Sequence, residues 1–456
     1  MTHTHKKNRA SKEKTHAGIS RSFNQALRLF LCLCTITLFG SGLLPGQTDP
    51  GPRGGAASAG SHVAGLTTAQ LSVFSTGMDQ FQEDEDVPAN GLGPRFNSNS
   101  CSSCHSQPAI GGTSPASNPL FAFANSQNVV PPFITSTGPI REVRFIRKPD
   151  GTPDGGVHDL FTIGGRSDTP TGCNLVQENF SNTANLSFRI PTPTFGLGLV
   201  EAIPDTTLVQ NLANNATGKA ALGITGRLNR NGNDGTVTRF GWKAQNKSLL
   251  LFSGEAYNVE MGITNLIFDT ERDETPNCSP LPPVNNSFNV GGFVDAAVFD
   301  DINNFANFMR FLAPPTPGPS SNTVVQGSNQ FVNIGCSNCH TTTFQTGASN
   351  FASLANQTIH PYSDFAIHHM GPGLADQVSQ GLAGGDEFRT APLWGLGQRL
   401  FFLHDGRTTN LLTVIAAHSS AANGTFPASE ANAVVARFNG LTVSDRQAIL
   451  TFLRSL

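Results

Sequence analysis

Two groups of cysteine and histidine residues are spaced so that each could hold a metal-containing cofactor. Both read C-x-x-C-H, and their chemically active members are Cys101, Cys104 and His105, and Cys336, Cys339 and His340. In this pattern two thiols lie on one helical turn and can bond to two vinyl groups of a porphyrin, while the histidine offers a nitrogen to the iron. A zinc site would need two further soft ligands for each motif, and no other C-x-x-C pair is present. The motifs therefore predict two covalently bound c-type haems.

An internal repeat indicates that two similar units position these motifs. Segment 300–312 matches the C-terminal segment 444–456, and P-x-x-G-L-G occurs at 193–198 and again at 392–397. Thr67 and Gln70 form a capping box that predicts the start of a helix before the first motif. Each half thus reads helix, C-x-x-C-H, P-x-x-G-L-G and closing helix. We expect a mainly α fold with two cytochrome-c-like haem domains, the first carrying a large loop-rich insertion with short strands.

The predicted domain boundaries follow from this repeat and from composition. The first haem domain with its insertion covers residues 66–313, a proline-rich linker covers 314–322, and the second haem domain covers 323–456. Residues 47–65 are rich in glycine, proline, alanine and serine and predict a flexible leader.

The N-terminal segment 1–46 has the pattern of a signal peptide. A basic stretch precedes the apolar run 29–39, and glycine and proline follow it. The run is too short to span a bilayer comfortably. The alternative is an uncleaved membrane anchor. We expect no membrane attachment by any other segment. Because covalent haem attachment by C-x-x-C-H occurs outside the bacterial cytoplasmic membrane, we expect a periplasmic or exported protein.

The net charge bears on which partners the protein can bind. Residues 1–46 contain seven basic residues and one acidic residue, and the rest of the chain has a net charge of −9. A negative charge of this size repels nucleic acid, and we expect no nucleic-acid partner.

Cys173 and Cys278 are the cysteines that remain outside the motifs and the signal peptide. In an oxidising compartment we expect them to form a disulfide.

Longer runs of sequence resemble a known family. They are EFRTAPLWGLG (387–397), LHDGR (403–407), GLGPRFNSNSCSSCH (91–105), GLGLVEAIPD (196–205) and RFGWKA (239–244). The chain resembles the di-haem oxidoreductases, often labelled thiol oxidoreductases, from about residue 66 to the C-terminus. That family is similar to the bacterial di-haem cytochrome c peroxidases and the MauG group. In the peroxidases one haem reacts with hydrogen peroxide while the other relays electrons.

The resemblance also implies a distal ligand for the second haem. In the peroxidases a histidine of an HDG-like segment is followed fourteen residues later by an axial methionine. Here His404 is followed at that spacing by His418. We therefore expect His340 and His418 to ligate the second iron, with Met370 packing against the haem. Two imidazoles should give this haem a lower potential than a histidine and a thioether.

The first haem has no equivalent ligand at the usual spacing. After His105 the next histidine is His158, so either His158 ligates the iron or the sixth position is open. Glu201 lies in the apolar run GLGLVEAIP, where the peroxidases place a distal acid–base side chain. The alternative for Glu201 is a carboxylate bonded to the backbone or to Arg189. Glu255 and Glu260 are weaker candidates for the acid–base role.

Trp242 is the candidate for electron relay between the haems. The chain has 33 phenylalanines but two tryptophans and two tyrosines, and phenylalanine is hard to oxidise. The alternative is a core tryptophan with a bonded indole. The leading functional hypothesis is a peroxidase that uses hydrogen peroxide and a small electron-donor protein or small-molecule reductant. The alternatives are a di-haem oxygenase or MauG-like enzyme and a plain electron-transfer cytochrome.

Overall fold

The structure is a computed structural model that describes residues 46–54, 58–279, 281–282, 285 and 300–456. The predicted signal peptide therefore lies outside the described residues, except for its last residue. None of the helices in these ranges is both long enough and apolar enough to cross a membrane.

Helices occupy both halves of the chain. In the first half they are α1 (Thr68–Gln82), α2 (Val87–Asn90), α3 (Cys101–Cys104), α4 (Leu197–Glu201), α5 (Asp205–Ala213), α6 (Ala216–Ala221), α7 (Leu249–Met261) and α8 (Asp301–Phe311). In the second half they are α9 (Asn322–Asn333), α10 (Leu411–Ala417), α11 (Asn432–Gly440) and α12 (Val443–Ser455). Single 3-10 turns occur at Pro119–Ala122, Thr183–Asn185, Cys336–Asn338 and Leu396–Gln398.

Short strands form four small antiparallel sheets in the described ranges. The strands are β1 (Arg95–Phe96), β2 (Glu142–Phe145), β3 (Val157–His158), β4 (Phe161–Thr162), β5 (Leu186–Arg189), β6 (Phe344–Gln345), β7 (Thr358–Ile359), β8 (Ile367–His369) and β9 (Glu387–Arg389). β1 pairs with β4, β2 lies between β3 and β5, β6 pairs with β7, and β8 pairs with β9. The three-stranded sheet belongs to the predicted insertion.

The prediction of a mainly α fold is wrong. Of the described chain, 31% is helical and 11% is strand, so most of it consists of turns and irregular segments. The physical reason lies in the composition, because 47 glycines and 29 prolines interrupt regular helices and favour turns. Strands also occur in the second half, in β6 to β9, where the repeat had indicated helices and loops.

The repeated helices occupy equivalent positions in the two halves. α1 packs against α8, and α9 packs against α12. At the first crossing Gly77 lies directly on the backbone carbonyl of Asn304, and at the second Gly327 lies on that of Ala448. A β-carbon at either glycine would collide with the facing carbonyl. The close approach of each helix pair therefore requires glycine.

The repeated P-x-x-G-L-G segments make a second equivalent contact. Gly198 lies against the backbone carbonyl of Arg310 near the end of α8, and Gly397 lies against that of Arg454 near the end of α12. The two halves are therefore repeated in their packing as well as in their sequence. In each half the glycine of P-x-x-G-L-G contacts the equivalent arginine of the closing helix.

Segments outside the two helix pairs also make contacts. Within the predicted leader, the Asp49 carboxylate forms a buried ion pair with Arg454 at 2.7 Å. The backbone N–H of Val63 donates to the carbonyl of Phe311. The leader is therefore attached to both halves along part of its length. No helix or strand is found in the described residues between α8 and α9, which begins at Asn322. The linker 314–322 and the domain boundaries stay predictions.

Candidate haem sites

The second C-x-x-C-H motif forms one wall of a cavity of about 230 Å³. Cys336 begins the 3-10 turn Cys336–Asn338, Cys339 directly follows this turn, and both cysteines and His340 line the cavity. The Nδ1–H of His340 donates to the backbone carbonyl of Tyr362 at 2.9 Å. This hydrogen bond leaves Nε2 as the nitrogen available to a metal. Burial lowers the pKa of His340 to about 4, so the imidazole is neutral, which is the form that ligates.

His418 lines the same cavity as His340. It lies at the C-terminal end of α10, and its Nδ1–H donates to the carbonyl of Val414 at 2.7 Å. Its Nε2 is therefore also available. Burial lowers the pKa of His418, so it too is neutral. The two residues predicted to ligate the second haem thus lie on one cavity in the same tautomer.

Two further histidines line the second cavity without an equivalent arrangement. His368 is held between two carboxylates, with Nε2 3.0 Å from Asp364 and Nδ1 2.8 Å from Glu430. Both of its nitrogens are therefore occupied. His404 is buried, and its ring stacks on Phe388 with centroids 4.4 Å apart. His368 therefore has no nitrogen left for a metal, whereas the stacking of His404 occupies neither of its nitrogens.

The first C-x-x-C-H motif lines a separate cavity of about 170 Å³. The short helix α3 carries Cys101 and Cys104, and His105 ends it. The Nδ1–H of His105 donates to the carbonyl of Gly112 at 3.0 Å, which again leaves Nε2 available. Phe81 meets the His105 ring edge-on at 6.0 Å, and Phe331 meets His340 at the same 6.0 Å in the other half.

The remaining cysteines behave as predicted. Cys173 and Cys278 form a disulfide, so this prediction is confirmed. Among the described cysteines, the four that stay unbonded are those of the two motifs. Each cavity therefore presents two thiols, at least one neutral imidazole and largely apolar walls. This donor set fits one haem in each cavity.

A carboxyl pair lies in the first cavity. Glu142 on β2 and Glu260 on α7 both line it, and their side chains are hydrogen-bonded to each other. Burial opposes the charge of Glu142, but Arg144 and Arg189 outweigh it and lower its pKa. Burial and the neighbouring Glu142 raise the pKa of Glu260 well above its usual value. The pair therefore shares one proton, with Glu142 ionised and Glu260 protonated.

The hydrogen bonds around the pair hold it in place. Arg144 donates through Nε to Glu142 at 2.7 Å, and the side-chain amide of Asn97 donates to Glu260 at 2.7 Å. Sequence reasoning considered Glu260 a weak candidate and missed Glu142. The one sequence signal that could have identified Glu142 is its position between two basic residues, Arg141 and Arg144.

The placement of Glu201 at the first haem is wrong. Its Oε1 accepts from the backbone N–H of Leu249 at 2.9 Å, and its Oε2 accepts from Arg310 at 2.8 Å. It lines a different pocket between α4, α8 and residues 348–354. The alternative stated for Glu201, a carboxylate bonded to backbone and an arginine, describes it, although the arginine is Arg310 and not Arg189.

His158 does not reach the first cavity either. It lies on β3, stacks on Phe145 at 3.8 Å, and its nitrogens face Asp154 at 3.1 Å and Glu178 at 3.5 Å. His158 lies opposite Val143 of β2, whose side chain is on the other face of the strand from Glu142 and Arg144, which line the cavity. The role of His158 as a distal ligand is therefore not supported. Besides His105, the lining offers the thioethers of Met261 and Met309.

Trp242 lies between the two cavities. It is the one residue in the described part of the chain that lines both of them. Its indole Nε1–H donates to the carbonyl of Ile190 at 2.8 Å. Trp242 therefore lies between the motifs, as an electron relay would, and also has the bonded indole of the alternative interpretation. Trp394 instead packs against Gly196 and lines neither cavity.

Two cavities, each with a C-x-x-C-H motif and joined by a tryptophan, define a di-haem redox protein. The sequence profile of the family described as "Di-haem oxidoreductase, putative peroxidase" matches residues 157–456. The chain belongs to this family and is a di-haem oxidoreductase, which confirms the resemblance noted in the sequence.

Comparison with other proteins adds little beyond the family. No curated protein matches the chain. Among solved structures it is similar to hydrazine synthase of Kuenenia stuttgartiensis, with 13% identity, a TM-score of 0.33 and coverage of 87% of this chain and 90% of that one. It is also similar to a MauG-like protein associated with microbial copper homeostasis, with 15% identity, a TM-score of 0.31 and coverage of 89% and 93%. Likeness at these values carries no argument about function.

Proposed function

We propose that this oxidoreductase is a peroxidase that reduces hydrogen peroxide at its first haem with electrons relayed by its second. The asymmetry between the cavities carries this proposal. The second cavity presents His340 and His418 as two ligands, as an electron-transfer haem needs, whereas the first pairs His105 with the carboxyl groups Glu142 and Glu260. Peroxide chemistry requires an accessible iron and a group that moves protons beside it.

Both haems are proposed to be covalently attached. The four motif cysteines carry free thiols at the cavity walls, and the chain's remaining described cysteines are in the disulfide. When bound, the haems supply iron centres that exchange single electrons, the first with a position for a small oxygen compound.

The proposed task of the carboxyl pair is proton transfer. Reduction of hydrogen peroxide to water consumes two electrons and two protons. The Glu142 carboxylate would take a proton from one oxygen of hydrogen peroxide and deliver it to the other, which leaves as water. The remaining oxygen needs two protons to become water; Glu260 holds one of them and can give it, and solvent supplies the other. Arg144 and Arg189 keep Glu142 ionised between turnovers.

The proposed task of Trp242 is to carry electrons between the sites. Its contact with both cavities supports this role, and its hydrogen bond to Ile190 holds the ring in place. The electrons would come from a small electron-donor protein or a small-molecule reductant. The basic and apolar pattern of residues 1–46 and the haem motifs support a periplasmic or exported location.

The decisive experiment pairs two variants of the holoprotein. Glu142→Gln should lower peroxide turnover by roughly 10²-fold or more, as for loss of a general acid–base, with both haems retained. Glu201→Gln is the matched control, since it removes a carboxylate from outside the cavity and should leave turnover within a few-fold of wild type. Equal turnover of Glu142→Gln and wild type would contradict the assignment of Glu142.

Spectroscopy of the wild type tests the peroxidase function itself. Absorption and EPR spectra are recorded in the oxidised and half-reduced states before and after peroxide is added. We expect a high-spin signal from the first site and its loss with peroxide. No response in either state would refute the peroxidase proposal and leave the plain electron-transfer cytochrome. A response without steady turnover by any small reductant would favour an oxygenase or MauG-like activity on a larger substrate.

A further inference from the structure

A tyrosine with two carboxyl neighbours borders the first cavity. Tyr257 lies on α7, is almost fully buried and lines this cavity with the first haem motif. Its hydroxyl oxygen is 2.9 Å from Oε1 of Glu85 and 2.9 Å from Oδ2 of Asp301. Neither the proton-transfer pair nor the electron relay proposed above uses this cluster.

The number of protons in the cluster follows from the hydrogen bonds. A phenol hydroxyl carries one proton and can donate it to one acceptor. Both contacts of Tyr257 are at hydrogen-bond distance, so one of the two carboxyl groups must be protonated and donate to the phenol oxygen. The other must be an ionised carboxylate that accepts the phenol proton.

The surroundings decide which carboxyl group is ionised. Asp301 is the first residue of helix α8, where the helix dipole favours a negative charge. Glu85 is buried, and its second oxygen meets no hydrogen-bond partner among the described residues, which a charged group would not tolerate. Burial raises the pKa of Glu85 to about 8 and that of Asp301 to about 6, which agrees with this order. Tyr257 therefore donates to Asp301, and Glu85 donates to Tyr257.

The aromatic side chains of this cavity differ in how easily they lose an electron. The chain contains 33 phenylalanines, two tyrosines and two tryptophans, and the other aromatic residues of this cavity are Phe81, Phe252, Phe305 and Trp242. Phenylalanine does not give up an electron under biological conditions. A phenol does so readily when a base beside it takes the proton at the same time, because no buried positive charge is then created.

We propose that Tyr257 is a redox-active residue that supplies one of the two electrons for peroxide reduction and passes its phenol proton to Asp301. This inference rests on the proposed peroxidase function. The O–H bond of Tyr257 breaks, the electron goes to the centre oxidised by hydrogen peroxide, and a new O–H bond forms on the Asp301 carboxylate. A neutral tyrosyl radical remains, stabilised by the hydrogen bond from Glu85. An electron from the external reductant and the proton from Asp301 later restore the phenol.

The first test is EPR of the holoprotein frozen within milliseconds of mixing with hydrogen peroxide. Wild type should give a tyrosyl radical, identified by a change in hyperfine splitting when ring-deuterated tyrosine is incorporated. Tyr257→Phe, which keeps the ring, should lose this signal. Tyr362→Phe is the matched control and should retain it, since these are the two tyrosines of the chain. Retention in Tyr257→Phe, or a signal unchanged by deuteration, would overturn the proposal.

Two further variants test the direction of the proton. Asp301→Asn still accepts a hydrogen bond but cannot take the proton, and should lower the radical yield about 10-fold or more. Glu85→Gln can still donate to the phenol oxygen and should keep most of the signal. If Glu85→Gln abolishes the radical and Asp301→Asn does not, the assigned proton acceptor is wrong.

A photochemical arm separates this proposal from the peroxidase function. A photo-oxidised ruthenium complex withdraws one electron from the protein without peroxide, and the tyrosyl radical should again depend on Tyr257 and Asp301. A radical in this arm with no response to peroxide would mean that the peroxidase proposal has failed while Tyr257 is redox-active. A normal peroxide response with no Tyr257 radical in either arm would refute the inference alone.

Discussion

Replacement of Asp376 by asparagine should destabilise the protein strongly. The Asp376 carboxylate is fully buried and forms ion pairs with Arg189 at 2.6 Å and with Lys243 at 2.8 Å, and both cations are at most 2% exposed. Asparagine would leave two buried positive charges without the carboxylate that both of them contact. Loss of one member of a buried pair costs about 3–5 kcal/mol. Arg189 keeps a hydrogen bond to Gln380, and Lys243 keeps hydrogen bonds to two backbone carbonyls. We therefore expect a loss of unfolding free energy of at least about 3 kcal/mol, the lower end of that range.

Equilibrium urea unfolding, followed by circular dichroism, measures this loss. The midpoint should fall while the slope with urea stays constant, since the same surface is exposed on unfolding. Asp376→Asn combined with Lys243→Met should recover part of the lost free energy, because one of the stranded charges is removed. Asp234→Asn is the control, since Asp234 pairs with Lys247 at the surface and its loss should change little. A loss below about 1 kcal/mol in Asp376→Asn would refute the reasoning about this network.

Three further predictions concern the second haem, the disulfide and pH. His418→Ala should convert one low-spin EPR signal to high-spin, whereas His360→Ala should not; unchanged spectra in both would remove His418 as the ligand. Replacing Cys173 and Cys278 by serine should cost roughly 4 kcal/mol in urea unfolding, because a loop of 105 residues is released, and a cost near zero would contradict this. Burial lowers the pKa of Lys243 from 10.5 to about 8. Between these values the unfolded chain binds the proton and the folded protein does not, so wild type should gain stability relative to Lys243→Met as pH rises from 8 to 10.5.

Much of the candidate site could be predicted because its parts are local in sequence. The two C-x-x-C-H motifs place thiols and imidazole within one turn, so their chemistry needs no distant contact. The capping box at Thr67 forms as predicted and begins α1. The disulfide followed from the number of cysteines, since two remained after the motifs and the signal peptide were set aside.

The helical content and the acid–base residues could not be predicted in the same way. Glu201 lies in a strongly apolar run, which suggested burial near the haem, but Arg310 from α8 holds it in another pocket. Glu142 and Glu260 come from a strand and a helix that are far apart in sequence. Their shared proton depends on two carboxylates meeting at one cavity, which no local pattern records.

The sequence by itself determined the two C-x-x-C-H motifs, the disulfide and the repeated helices, because each depends on spacing within a short segment, on a repeat or on a count of cysteines. Only the tertiary structure decided which groups face each cavity. Contacts between distant segments place Trp242 against both cavities, bring Glu142 to Glu260, and set Tyr257 between Glu85 and Asp301. The proton affinities that matter for chemistry arise from burial and from charged neighbours, and both exist only once the chain is folded.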